Sequence, residues 1–190
     1  MSDVKITKSV TIQRVKLMGD DRVQVSWTEN FKVGNQLYSN TYPKVTFERQ
    51  PQPELVAAIQ KFSLLADGFC EMDPKEYTAI HTDTDVDKVR TEQVYAHFRC
   101  SGIRIVGKDG RRGCAPFYHL RLNTSNKPLN LNPPEKFEAP SDKEPTDKHL
   151  SKDAILALEE VLRCTEDYLA GAAAQVELDL VEAETEDALA

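Results

Sequence analysis

Tyr95, His97 and Arg99 follow one another at every second position, and Phe117, His119 and Arg121 repeat the order ring, imidazole, guanidinium further along the chain. On a β-strand successive side chains point to opposite faces, so each triplet shares one face of its strand. Rings that stack on bases, together with cations that meet phosphates, are the usual chemistry of single-strand nucleic-acid binding. Lys108, Arg111 and Arg112 lie between the triplets, among Gly107, Gly110 and Gly113, where a tight turn would add cations at its tip. These nine residues, Tyr95, His97, Arg99, Lys108, Arg111, Arg112, Phe117, His119 and Arg121, form the candidate ligand-binding set. The plainer reading is the wet face of a two-layer domain, where Tyr, His and Arg are ordinary occupants.

The elements that must position this set read as a β-hairpin from Tyr95 to Leu122. Val94, Ala96, Phe98 and Cys100 alternate with the first triplet, and Tyr118, Leu120 and Leu122 alternate with the second. Ser101-Gly102 switches the parity before Ile103 and Ile105. An earlier stretch has the same order: Val10 and Ile12, a switch near Arg14 that suggests a bulge, Val15 and Leu17, then the turn Gly19-Asp20-Asp21. Val23, Val25 and Trp27 continue as a second strand. A third spans Leu37 to Phe47, where Pro43 favours an edge or an irregularity.

Leu55, Ile59, Phe62 and Ala66 recur at helical spacing and predict a helix over 54–66, with Gly68 as its stop. Ser151 is a good N-cap for a second helix, striped by Ile155, Leu158, Leu162 and Leu169 and ended by Gly171. The expected fold is α+β, with antiparallel hairpins or meanders and two amphipathic helices. Two degenerate β-β-β-α units in one compact domain would fit, and so would two separate meanders capped by helices. The boundaries are a first unit over 1–68, an acidic connector over 69–92, and a second unit over 93–171 with a proline-rich, extended or mobile connector at 124–149. An acidic tail, expected to be disordered or loosely attached, follows over 172–190.

Charge is distributed unevenly along these segments. The 190-residue chain has a net charge of −7, yet residues 93–131 hold seven basic side chains against one acidic, and residues 132–190 five basic against sixteen acidic. A uniformly acidic decoy of nucleic acid would not carry such a basic segment. The tail itself allows three roles: a solvating end, a motif for a protein partner, or a competitor for the basic hairpin.

Other chemistries fit less well. His97, Cys100, Cys114 and His119 offer four zinc-ligand types, but alternation sends the histidines and the cysteines to opposite faces. Asp83, Asp85 and Asp87 resemble the start of a calcium loop, whose sixth and twelfth places hold Lys88 and Val94 instead of Gly and Glu. No nucleophile elbow, zinc-protease, Walker or dinucleotide motif is present, so we expect neither an enzyme nor a metal or other cofactor. Cys70, Cys100, Cys114 and Cys164 are widely spaced and read as reduced, mostly buried thiols. Without a membrane-length apolar run or a secretory leader, the expected location is cytoplasmic.

The stretches SGIRIVGKDGRRG and LNLNPPEKF loosely resemble the small, mostly uncharacterised β/α proteins of phage and prophage recombination genes. That resemblance implies a phage-infected bacterial cytoplasm, near replication, recombination or evasion of host defence. The function expected from the residues is a non-enzymatic binding protein for single-stranded nucleic acid or another phosphate-rich ligand. The alternative is a phage protein-interaction module, such as an anti-defence inhibitor of a host protein. Homo-oligomerisation through exposed sheet edges is a further expectation.

Overall fold

The structure, a computed structural model, describes residues 6–19, 21–34, 36–71, 98–121 and 127–187. Tyr95 and His97, the Asp83–Asp87 run, Leu122 and most of the acidic connector lie outside the described residues. The described strands are β1 (Ile6–Leu17), β2 (Val23–Val33), β3 (Gln36–Phe47), β4 (Phe98–Lys108), β5 (Arg111–Arg121), β6 (Pro128–Leu131) and β7 (Lys136–Phe137). They form one antiparallel sheet in the order β3-β2-β1-β4-β5-β6, with β7 also paired to β5. The helices are α1 (Pro53–Lys61), α2 (Ala66–Cys70) and α3 (Lys152–Asp187). This is the α+β architecture expected from the alternation, with the two strand groups joined in one sheet.

Both expected parity switches are β-bulges. The register of β1 against β2 shifts between Ile12 and Arg14, and that of β4 against β5 shifts between Cys100 and Gly102. Gln13 and Ser101 are therefore the extra residues. Each bulge restores an apolar side chain to the core after two intervening positions, so Ile12 and Val15 are both buried, as are Cys100 and Ile103. Pro43 has its expected effect. β3 is an edge strand, and Lys44 beside it takes φ +53° while donating its backbone N–H to Ser26 Oγ at 2.9 Å.

The first helix departs from its expected form. It passes through a 3-10 turn, Phe62–Leu65, into α2 and runs beyond Gly68 to Cys70. Glu71, at φ +55°, provides the left-handed cap that Gly68 was expected to supply. The tighter turn serves packing, because Ser63 is buried and its Oγ accepts the Cys100 N–H at 2.9 Å. α3 begins as expected, with Ser151 Oγ accepting the Ala154 N–H at 3.2 Å. Gly171 does not end it. The following residues are rich in Ala, Glu and Leu and contain no proline, so helix propensity carries the backbone on to Asp187, through most of the tail that was expected to be disordered or loosely attached. The proline-rich connector likewise contains β6 and β7, which find free hydrogen-bonding groups along β5.

The core lies between one sheet face and the helices. Val15, Val23, Val25, Ile103 and Tyr118 meet Leu55, Ile59, Phe62, Leu158 and Val161 there. Two tyrosines tie the layers through buried polar ends: Tyr118 donates its hydroxyl to Phe62 O and Tyr168 to Arg49 O, both at 2.8 Å. Trp27 stacks on Tyr42 at 4.6 Å between ring centroids, which helps hold β3 to the layer.

The strand groups meet where β1 pairs with β4, through Arg14 and Arg104, Val15 and Ile103, and Lys16 and Gly102. A Cβ at Gly102 would lie 2.5 Å from Val15 O and 2.7 Å from Lys16 Cα, which are backbone atoms that cannot step aside. Gly102→Ala is expected to lower stability by about 1–3 kcal/mol, the usual cost of overpacking. A urea midpoint unchanged from wild type would contradict this account of the junction.

Candidate functional site

The sheet face opposite the helices carries the candidate site in three cross-strand rows. The first runs Ser26, Arg14, Arg104 and Ala115, the second Gln24, Lys16, Gly102 and Phe117, and the third Arg99, His119 and Asn130. Facing residues on neighbouring strands share a face, so these rows gather three arginines, a lysine and an imidazole around one phenyl ring. Gly102 leaves no side chain between Lys16 and Phe117. The Arg14 guanidinium lies diagonally over the Phe117 ring, 4.8 Å from its centroid.

Arg14 and Arg104 are like charges directly opposite one another, an unfavourable cross-strand pair. The ring relieves Arg14. Arg104 is met by Glu135, whose carboxylate lies 2.8 Å away. Glu135 immediately precedes the Lys136–Cys114 pair of β7 and β5, so it reaches Arg104 past the small side chain of Ala115. Arg14 Nε is buried without a hydrogen-bond partner. His119 Nδ1 is 2.6 Å from Asn130 Oδ1, which orients the imidazole on this face.

Tyr95 and His97 lie outside the described residues, and the described members of the nine sequence-selected residues do not all converge. Arg99, Phe117 and His119 lie together on the open face, and Arg99 and His119 are directly paired. Arg121 closes β5 opposite Pro128. Lys108 is exposed at the turn, where Asp109 and Gly110 both adopt positive φ as a two-residue hairpin turn requires. Arg112 belongs to the helix side: its guanidinium binds Glu138 at 2.7 Å and Glu159 of α3 at 3.1 Å. Arg111 lies over the Phe137 ring, 6.0 Å from its centroid, and donates to Glu138 O. The tip arginines therefore clamp β7 and α3 to the hairpin. Arg14, Lys16 and Arg104 take their place on the face, and the bulge near Arg14 was the sequence signal that could have placed the first two.

Cys100, Cys114 and Cys164 are buried thiols, and Cys70 is half-buried. Cys100 and Cys114 face the core, away from His119, and burial pushes each thiol up to about 12. Among the described residues no cluster of three or more His, Cys, Asp or Glu could hold a metal ion. No described helix is long and apolar enough to cross a membrane. The fold and face define an α+β protein with a helix-backed antiparallel sheet and a basic open side. No family model, curated protein or solved structure matches the chain.

The raised thiol pKa values have a pH consequence of definite sign. An unfolded chain begins to lose these protons near pH 9, while the folded chain keeps them to about pH 12. Their contribution to stability is therefore complete below pH 9 and is lost as pH rises from there towards 12. At pH 8 a thiol reagent should leave Cys100 and Cys114 unmodified in the native protein and modify all four cysteines in urea. Modification of either residue under native conditions would contradict their placement.

Proposed function

We propose that this is a non-enzymatic binding protein whose open sheet face engages a phosphate-rich ligand, with single-stranded nucleic acid as the leading candidate. The observation that carries this reading is the gathering of Lys16, Arg14, Arg104, Arg99 and His119 around Phe117 on one face. An extended polyanion running along the strands would cross the three rows and meet a cation in each. Because Arg14 covers the phenyl ring, a base would stack on the guanidinium plane, which is a common platform for unpaired bases. Glu135 is the internal anion of the site: its carboxylate meets Arg104 as a phosphate would. The phage setting suggested by the SGIRIVGKDGRRG and LNLNPPEKF stretches is retained as part of this proposal.

Binding of a labelled oligonucleotide at low salt is the direct test. With four Lys and Arg side chains contacting phosphates, affinity should fall about fiftyfold between 50 and 200 mM salt. Arg99→Ala or Lys16→Ala should weaken binding about three- to tenfold at low salt and flatten the salt dependence. Arg112→Ala should instead lower stability and leave the salt dependence unchanged. Glu135→Gln should tighten binding by releasing Arg104. No binding at low salt would remove the nucleic-acid reading. Equal competition by mononucleotide and by polymer, at matched phosphate, would point to a small phosphate ligand. Capture of a host protein that survives nuclease treatment, without oligonucleotide binding, would favour the interaction module instead.

A further inference from the structure

The two ends of the sheet are finished differently. At one end, β6 and β7 are only four and two residues long, and Pro133 and Pro134 interrupt the chain between them. Short strands and prolines are ordinary ways of blunting an edge against further pairing. At the other end, β3 is twelve residues long and, among the described residues, has β2 as its sole strand neighbour. Its irregularity at Pro43-Lys44 lies towards the chain's C-terminal side. The segment Gln36–Tyr42 keeps continuous register with β2 and contains no charged residue and no proline. Every second residue of such a strand directs its N–H and C=O away from its neighbour. Large apolar side chains are exposed on both faces beside this edge, with Val33 40% and Tyr38 51% exposed on one and Leu37 72% on the other.

We infer that the Gln36–Tyr42 edge is a self-association surface, on which β3 of a second copy pairs antiparallel across a two-fold axis to join two sheets into one. An edge strand is complementary to itself, because donors and acceptors alternate along it and a half-turn brings each donor to an acceptor. Charge favours this occupant. The chain as a whole is at −7, and a charged edge would set like charges against one another in a self-paired ladder, whereas Gln36–Tyr42 brings none together in any register. The pairing uses the same edge of both copies, so it closes at two chains. It would also cover Leu37 and Tyr38 or their close neighbours at the joint, and it leaves the Arg14–Phe117 face uninvolved.

Light scattering of the full chain over a dilution series tests this inference. The expected mass is that of two chains, falling to one in Ser39→Lys and staying at two in Asn130→Lys, which puts the same charge on the opposite edge. Hydrogen exchange on the unmodified protein provides a second measurement, in which the Gln36–Tyr42 amides should slow as concentration rises. Three results would overturn it: a wild-type mass of one chain at every concentration, a dimer that persists in folded Ser39→Lys, or exchange independent of concentration. If Ser39→Lys fails to fold, the exchange result alone decides.

Discussion

The structure depends on the short β1–β4 junction, where three residue pairs join the N-terminal meander to the central hairpin. It can close because Gly102 lets the β1 backbone approach to a distance that no side chain would permit. The two flanking bulges decide which side chains face which way. If Gln13 took a regular place in the ladder instead of bulging, strict alternation from Ile12 would turn Arg14 into the core and Val15 out of it. Ser101 does the same for Ile103 and Arg104. One backbone device, used on both sides of the junction, therefore fills the core and charges the opposite face.

That arrangement leaves an electrostatic tension at the centre of the sheet. Arg14 and Arg104 oppose each other, with Lys16 and Arg99 in the adjoining rows. Two contacts moderate the repulsion, the Phe117 ring under Arg14 and the Glu135 carboxylate at Arg104. Exposed pairs of this kind contribute little to stability, about 0–1 kcal/mol. An arrangement that gains so little from its own contacts is suited to gain from an external anion. The hairpin tip has the reverse character: Arg112 is held between Glu138 and Glu159 and works as a fastener between layers.

The helix layer completes the division between the faces. α1, α2 and the first turns of α3 cover one side of the sheet and bury Tyr118, Tyr168 and Phe62, with each tyrosine hydroxyl satisfied by a backbone carbonyl. Cys100 and Cys114 sit inside this layer as unreactive thiols. Two acidic residues of α3, Glu159 and Glu160, meet Arg112 and Lys61 on the helix side.

Much of this was legible in the sequence because it is local. Alternation over consecutive residues revealed both bulges, the inward set Phe98, Cys100, Tyr118 and Leu120, the outward set Arg99, Phe117 and His119, the edge character of Pro43 and the Ser151 cap. Tertiary structure alone decided that β1 lies beside β4, and with it the arrival of Arg14 and Lys16 beside Arg104 on the candidate face. It also decided that Arg111 and Arg112 are bound by groups far along the chain, and that α3 continues past Gly171. The physical reason is range. Side-chain direction along a strand follows from the pleat, residue by residue, whereas strand adjacency and the pairing of a charge depend on contacts between segments that no local pattern encodes.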